Sequence, residues 1–196
     1  LDWGRDHATG VWYFVMPYIQ GASLGSLLNK GPLDSEEVKR IGRAVASGLV
    51  ACHAQGVVHR DIKPDNIMLR RDGSPVLIDF GIAHQEGVGS GQTRMATMKY
   101  APPEQQAGEK VGAEADLYAL GVTLADCFGG VKWLEGSWVE LIGRLTHFNP
   151  DVRGTAEGLV EALSEAERAK TPRPRPRSTS AHPSVDPALT VKAPID

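Results

Sequence analysis

The sequence has few cysteines, no long apolar run and no excess of basic residues, and each shortage argues against a class of protein. Only two of its 196 residues are cysteines, Cys52 and Cys127, and neither has the spacing of a metal site. This count excludes a disulfide framework, so we expect a reducing, cytoplasmic compartment. The absence of an apolar run of ~20 residues argues against a membrane segment within the chain. The net charge of −3 argues against nucleic acid as a partner.

Aromatic residues are also scarce, at 6% of the chain, and none lies in residues 171–196, which hold six of the 13 prolines. Because a core requires apolar side chains, this segment is predicted to be a disordered Pro- and Arg-rich tail or linker. It carries four cations and two carboxylates, which leaves a net charge of −5 for residues 1–170. An alternative interpretation is that Pro172–Arg177 is a polyproline II ligand for a partner with an aromatic groove.

Two apolar patterns indicate β-structure. Val11–Met16 is a run of β-branched, aromatic and other apolar residues that Pro17 ends, which predicts one buried strand. Further along, Ile67–Leu69 and Val76–Ile78 flank Arg71–Pro75, a segment rich in turn-forming residues. This arrangement predicts a β-hairpin.

Helical patterns occupy much of the remaining sequence. Asp34 is a good N-cap, and Glu37, three residues later, completes a capping box. Apolar residues then recur every three or four positions to about His53, which predicts a long amphipathic helix. Two more helices are predicted, a buried one at about residues 113–128 and a last one at about residues 155–169.

The most specific chemical signal is His59–Asn66, which reads His-Arg-Asp-Ile-Lys-Pro-Asp-Asn and precedes an Asp-Phe-Gly motif at Asp79–Gly81. In order and composition these motifs resemble those of the protein kinase superfamily, in particular bacterial eukaryotic-like serine/threonine kinases. The resemblance implies a mainly α (α+β) fold, the large lobe of a kinase with a remnant of the small-lobe sheet and the hinge. We expect residues 1–20 to form this remnant and residues 21–170 to form the large lobe.

Phosphoryl transfer to a hydroxyl needs a carboxylate near the acceptor, a cation near the transferred group and oxygen ligands for a divalent metal. By resemblance, Asp61 accepts the hydroxyl proton and Lys63 neutralises the γ-phosphate. Asn66 and Asp79 would hold the metal, so the implied cofactors are ATP and Mg²⁺, or Mn²⁺ in its place. Lys63 is typical of serine/threonine kinases, so the implied partner is a protein substrate with a Ser or Thr acceptor.

Other positions match residues that support the catalytic loop, His59–Asn66, within the family. The resemblance assigns such structural roles to His59, Phe80, Gly81, Glu104, Asp116 and Arg153. Asp116 is expected to brace the backbone of the loop from within a buried helix. Glu104 is expected to form a buried ion pair with Arg153, and removal of one partner should cost ~3–5 kcal/mol.

Regulation by phosphorylation is a further implication of the resemblance. Arg60 matches the arginine that pairs with a phosphate on the activation loop of switchable kinases. Ser90 and Thr93 are the candidate phosphorylation sites in that loop. Thr97 instead resembles the family threonine that hydrogen-bonds the catalytic aspartate and lysine.

The nucleotide-binding residues are also implied by position. Met16 matches the gatekeeper, and Pro17–Ile19 match the hinge, where the carbonyl of Pro17 and the amide of Ile19 would meet the adenine. Proline removes only a donor, so the required acceptor is retained at Pro17. Met68, two residues after Asn66, would lie under the adenine as an adaptable apolar floor.

Two departures from the family pattern leave a second interpretation open. No Gly-rich phosphate loop and no upstream strand lysine precede the hinge segment, which indicates a truncated small lobe. The segment of residues 129–152 is shorter than usual, so the helix there is expected to be reduced or missing. Trp133 and Trp138 are expected to cover the exposed core, and the alternative is that they form an interaction patch. The alternative function is a non-catalytic pseudokinase or scaffold that binds partners through the lobe and the tail.

Overall fold

The computed structural model describes residues 2–10, 12–80 and 98–168, which form two small antiparallel sheets and a set of packed helices. The strands are β1 Asp2–Arg5, β2 Trp12–Val15, β3 Gly21–Ser23, β4 Ile67–Arg70 and β5 Pro75–Leu77. The helices are α1 Leu24–Leu28, α2 Ser35–His53, α3 Pro103–Gln106, α4 Glu114–Cys127, α5 Ser137–Leu145 and α6 Ala156–Arg168. Short 3-10 turns occur at Pro64–Asn66, Val131–Trp133 and Pro150–Val152. The predicted tail, residues 171–196, lies outside the described residues.

The first sheet is a hairpin of β1 and β2, in which Asp2 pairs with Val15 and Arg5 pairs with Trp12. The Asp6 carboxylate accepts hydrogen bonds from the amides of Ala8 and Thr9 and so organises the connecting turn. The prediction of one strand before the hinge was therefore incomplete, and the prediction that this strand is buried was wrong, because Tyr13 and Val15 are 49% and 52% exposed. Strand β1 was missed because its four residues, Asp-Trp-Gly-Arg, have no alternating apolar pattern.

The second sheet has the order β3-β4-β5, so the predicted hairpin of β4 and β5 is confirmed and gains a third strand. Gly21 of β3 lies so close to β4 that a Cβ atom there would clash with the carbonyl oxygen of Leu69. Only glycine allows this approach. A three-residue strand is too short for a periodic pattern, which explains why β3 was not predicted.

The long helix α2 forms as predicted. The Asp34 carboxylate accepts hydrogen bonds from the amides of Glu36 and Glu37, both at 2.9 Å, and satisfies two donors at the helix start. The helix is followed by Gly56, whose φ of +70° reverses the chain at little cost. Its apolar stripe is fully or almost fully buried and comprises Val38, Ile41, Val45 and Leu49.

Helix α4 is the centre of the core, because most of its residues are buried. It packs closely against α5, since a Cβ at Gly121 would lie 2.7 Å from the Cβ of Leu145. Helices α2 and α6 pack together on another side, as Leu159 and Leu163 of α6 are 1% exposed. Among the described ranges, no helix combines the length and the apolar character that crossing a bilayer requires.

The segment between α4 and α6, where the helix was expected to be reduced or missing, contains the nine-residue helix α5. Trp138 of α5 is buried and its indole nitrogen donates to Ser35 Oγ at 2.8 Å, which joins α5 to the start of α2. Trp133, by contrast, is 63% exposed and does not cover the core. The sequence could not distinguish the two tryptophans, because their burial depends on how α5 packs.

Candidate active site

The start of the catalytic loop is held in place by Asp116 of helix α4. The side chain of Asp116 has no exposure to solvent. Its two carboxylate oxygens accept hydrogen bonds from the amides of His59 and Arg60, both at 2.8 Å. Arg60 has a φ of +67°, a strained conformation for a residue with a side chain, and this pair of bonds holds it. His53 Nε2 lies 2.9 Å from the same carboxylate, so the end of α2 also joins the clamp.

Three of the predicted catalytic residues meet at one carboxylate oxygen. Lys63 Nζ lies 2.7 Å from Asp61 Oδ2, and Asn66 Nδ2 donates to the same atom at 2.9 Å. Asn66 Nδ2 also donates to the backbone oxygen of Asp61 at 2.8 Å. The 3-10 turn at Pro64–Asn66 returns the chain toward Asp61 and makes this contact feasible. The arrangement fixes the orientation of the carboxylate beside a cation.

The segment carrying Asp79 is attached to the catalytic loop through Ile78 and Phe80. The Ile78 amide donates to the carbonyl of Asn66 at 2.9 Å. Asp79 directly follows Ile78 and is therefore held near Asn66. The rings of His59 and Phe80 are stacked at an angle, with centroids 4.5 Å apart. Asp79 itself is exposed and has a φ of +57°. The two motifs therefore form one structural unit.

His59 joins these parts as a neutral imidazole. Burial lowers its pKa, although the Asp116 carboxylate acts in the opposite direction. Its Nε2 lies 3.0 Å from the carbonyl of Ile78, and the amide of Asp61 donates to its Nδ1 at 3.3 Å. These partners require the proton on Nε2, so one neutral tautomer satisfies both contacts.

Asn66 and Asp79 have the chemistry of a divalent-metal site. Because both hydrogen bonds from Asn66 use the amide nitrogen, its amide oxygen is the atom left to meet a cation. Amide and carboxylate oxygens suit Mg²⁺, which commonly uses one or two protein ligands together with nucleotide phosphates. No cluster of three or more His, Cys, Asp or Glu suited to a metal occurs within the described part of the chain. The residues present fit a metal that is shared with a phosphate ligand.

The predicted adenine-binding residues lie on the connection between the two sheets and on β4. Met16 is 44% exposed, Pro17 is exposed and Ile19 is half-buried. Met68 is half-buried in β4, where it pairs with Ser23, four residues after Ile19. The sheet register therefore brings Met68 close to the segment that follows the proposed hinge.

The predicted ion pair of Glu104 and Arg153 is present and joins α3 to the loop before α6. Arg153 Nη1 and Nη2 donate to the two Glu104 oxygens at 2.6 and 2.9 Å. Burial alone would raise the pKa of Glu104, but the hydrogen bonds from Arg153 lower it on balance. The Arg153 guanidinium also lies over the Tyr118 ring of α4, 4.9 Å from its centroid.

Four predicted residues lie outside the described ranges: Gly81, Ser90, Thr93 and Thr97. The sequence analysis also missed His53, which contacts the Asp116 carboxylate, and an ion pair at the other end of α4. His53 was taken only as the end of α2, although a basic residue in the last turn of a helix can interact favourably with the helix carbonyls. Lys99 and Tyr100 were missed because their partner, Asp126, is more than 20 positions away and no local spacing indicates it.

The comparison with known proteins agrees with this geometry. A family model described as the protein kinase domain matches residues 6–139, more than half of the chain. The chain therefore belongs to the protein kinase family, whose members use ATP together with a divalent metal.

Similar proteins include bacterial serine/threonine kinases. Serine/threonine-protein kinase PknD of Mycobacterium tuberculosis is 39% identical over 143 residues, 71% of this chain and 21% of that protein. Serine/threonine-protein kinase PknH of Mycobacterium bovis is 39% identical over 133 residues, 66% of this chain and 22% of that protein. Serine/threonine-protein kinase F of Synechocystis is 42% identical over 118 residues, 57% of this chain and 24% of that protein. The chain spans about a fifth of the length of the first two relatives.

Proposed function

We propose that the protein is a serine/threonine kinase that transfers the γ-phosphate of ATP to Ser or Thr hydroxyls of protein substrates. The observation that carries this proposal is the Asp61 carboxylate, held by Lys63 and Asn66 on a loop that Asp116 clamps. A purely structural loop has no need for a lysine and an amide directed at one aspartate oxygen. Sequence similarity to named serine/threonine kinases supports the same acceptor class.

In the proposed reaction, the hydroxyl oxygen of the acceptor Ser or Thr bonds to the γ-phosphorus of ATP, and Asp61 accepts the proton of that hydroxyl. The bond from that phosphorus to the β–γ bridging oxygen breaks, and ADP leaves. Lys63 contacts Asp61, so its ammonium group would lie beside the reacting hydroxyl and offset negative charge on the transferred phosphoryl group. A divalent cation held by Asn66 and Asp79, Mg²⁺ or Mn²⁺, would supply further neutralisation of the phosphates.

The adenine is proposed to lie between the hinge and β4. The carbonyl of Pro17 and the amide of Ile19 would provide its hydrogen bonds, with Met16 as the gatekeeper. Met68 would provide the apolar floor, and its half-buried position in β4 supports this role. The tail, residues 171–196, is proposed as a linker or a ligand for a polyproline-binding partner.

Regulation is proposed to act through the exposed Arg60, which precedes Asp61. A phosphate on Ser90 or Thr93 would pair with its guanidinium and favour the active arrangement of the loop. Thr97 would contribute hydrogen bonds to Asp61 and Lys63. A cytoplasmic location is consistent with both cysteines being free thiols.

The Asp61→Asn variant of the complete natural protein tests the assignment of the base. Removing a general base costs typically ~10²–10⁴-fold in rate, and we expect this loss in kcat for phosphorylation of a general acceptor protein. Asp72→Asn is the matched control, because Asp72 lies in the exposed β4–β5 turn and bonds only locally to Ser74. Equal kcat in Asp61→Asn and the unmodified protein would show that the base is assigned wrongly.

The alternative that the sequence analysis leaves open is a non-catalytic pseudokinase or scaffold that binds partners through the lobe and the tail. Calorimetric titration with ATP and Mg²⁺ separates the two functions. A scaffold without a nucleotide site gives no binding, whereas the proposed kinase gives binding that weakens in an Asp79→Asn variant.

A further inference from the structure

The start of helix α6 lies beside the end of helix α2. Arg153, three residues before α6, donates to the carbonyl of Glu114, the first residue of α4, at 3.3 Å. His53, the last residue of α2, has its Nε2 2.9 Å from the carboxylate of Asp116 in the first turn of α4. Both contacts fall in the same turn of α4, so the start of α6 and the end of α2 are neighbours.

Helix α6 then runs back along α2 toward Ser35, the first residue of α2. Within α6, Leu163 packs on α2, because a Cβ at Gly42 would lie 3.2 Å from Leu163 Cδ1. Helix α6 continues for five residues beyond Leu163, to Arg168, a rise of ~7.5 Å. Ser35 precedes Gly42 by seven residues, a rise of ~10 Å in the same direction. The helices are therefore antiparallel, and α6 ends within one turn, along the helix axis, of the start of α2.

An exposed apolar surface lies at this same end of the bundle and consists of Pro32 and Trp133; we call it the Trp133 patch. The amide of Leu33 donates to the carbonyl of Cys127 at 2.8 Å, which joins the segment before α2 to the end of α4. A Cβ at Gly129 would lie 3.5 Å from Trp133 Cδ1 and 4.0 Å from Pro32 Cβ. Trp133 is 63% exposed, and Pro32 is exposed as well. Exposed aromatic side chains are the surfaces on which polyproline II segments dock.

The exposed charge beside the Trp133 patch is predominantly negative. Within residues 30–36 and 131–140, the exposed charged residues are four carboxylates and two lysines: Asp34, Glu36, Glu135, Glu140, Lys30 and Lys132. Lys39 and Arg40, which follow on α2, pair with Glu36 and Glu37 of the same helix. Lys132 lies over the Trp133 ring, 5.4 Å from its centroid, so the indole already has a cation on its π-face. A cationic segment is therefore favoured at this patch over an acidic one.

The chain itself contains a segment of complementary chemistry close to the patch. Pro172–Arg177 reads Pro-Arg-Pro-Arg-Pro-Arg and begins four residues after Arg168. Four extended residues reach ~13 Å, which exceeds the ~8–10 Å between the axes of packed helices. As a polyproline II helix, the six residues would then span ~18 Å. The net charge of residues 171–196 is +2, against −5 for residues 1–170.

We propose that Pro172–Arg177 docks on the Trp133 patch of its own chain. The prolines would pack on Trp133 and Pro32, and their fixed φ angles reduce the entropy lost on docking. The three guanidinium groups would pair with the neighbouring carboxylates and stack on the indole. The inference is independent of the proposed kinase function, because it concerns no residue of the candidate active site.

The first measurement is fluorine NMR of the complete natural protein labelled with fluorotryptophan, in which a Trp133→Phe variant assigns the Trp133 signal. The comparison is a three-arginine variant, Arg173→Gln with Arg175→Gln and Arg177→Gln. We expect the Trp133 signal to shift in this variant and with added salt, whereas the signal of the buried Trp138 stays in place. A Trp133 signal identical in the two proteins overturns the inference. A Trp133 shift that depends on protein concentration also overturns it, because the segment would then come from a second copy.

The second measurement is competition by a labelled peptide that copies residues 171–180, followed by fluorescence anisotropy. A tethered segment acts at an effective concentration of about millimolar, so it should exclude the peptide from the unmodified protein. We expect the three-arginine variant to bind the peptide about tenfold more tightly than the unmodified protein does. Equal affinity for the two proteins, or no binding to either, overturns the inference.

A further substitution within the three-arginine variant identifies the surface that binds the peptide. Trp133→Ala should abolish peptide binding, and Trp133→Phe should retain part of it because an aromatic face remains. Phe148→Ala is the matched control, because Phe148 is 77% exposed but its carbonyl accepts from Arg153, at the opposite end of α6. Peptide affinity unchanged by Trp133→Ala, or lowered equally by Phe148→Ala, overturns the inference.

Discussion

Replacement of Arg153 by Met tests how much of the stability of the fold depends on one buried cation. Arg153 is 1% exposed and donates two hydrogen bonds to Glu104. It also donates to the carbonyls of His147, Phe148 and Glu114. Methionine has a similar length but no donors, so the variant leaves a buried carboxylate and three carbonyls without this partner.

The expected loss is ~3–5 kcal/mol, the usual cost of stranding one member of a buried ion pair. Domains of this size are stable by only ~5–15 kcal/mol, so the loss is a large share of the total. At ~2–4 °C per kcal/mol, Tm should fall by about 6–20 °C. Urea unfolding followed by circular dichroism gives the free energy, and thermal unfolding gives Tm.

Two further variants separate the ion pair from the other contacts of Arg153. Glu104→Gln should cost less than Arg153→Met, because the guanidinium keeps its three carbonyl acceptors and gains a neutral amide oxygen. The double variant should then cost less than the sum of the two single losses. Arg144→Met, at an exposed position on α5, is the control and should change stability by about 0.5 kcal/mol or less. A loss below about 1 kcal/mol for Arg153→Met, or strict additivity, would refute the reasoning.

Two other predictions concern stability. Because burial lowers the pKa of His59, the unfolded chain binds a proton below about pH 6.5 that the folded chain does not, so stability should fall as pH drops through that value. Urea unfolding at several pH values should show this slope reduced in His59→Phe, and an identical slope in both proteins would contradict it. Gly21→Ala should lose ~1–3 kcal/mol, because its Cβ would meet the carbonyl of Leu69. The same change at Gly48, an exposed helix position with nothing nearby, should be neutral or stabilising by ~1 kcal/mol; equal effects at both sites would exclude the steric explanation.

Much of the secondary structure could be predicted because the relevant interactions are local. The N-cap at Asp34 involves amides two and three residues away, and the hairpin of β4 and β5 closes over a short turn. Strands β1 and β3 were missed, and helix α5 was expected only as a reduced or missing helix. The two strands are short and depend on pairing, and burial of Trp138 depends on its contact with Ser35, 103 positions away.

The candidate site likewise combines contacts between residues that are close in sequence with contacts between residues that are far apart. The catalytic-loop motif carries Asp61, Lys63 and Asn66 within six residues, so their encounter follows from one short turn. The roles of Asp116 and of the pair formed by Glu104 and Arg153 came from family resemblance, because their partners are about 50 residues or more away. No spacing in the chain indicates such contacts.

The sequence alone therefore determined the family, the encounter of Asp61, Lys63 and Asn66, and the long capped helix, because each depends on residues that are neighbours along the chain. Tertiary structure decided which charges are paired and which remain accessible. Asp126 and Lys99 are 27 positions apart and meet only because residues 99–100 pack against the end of α4. Packing of the helices also buries Arg153 and leaves Trp133 exposed, since burial is a property of the assembled core and of no local segment.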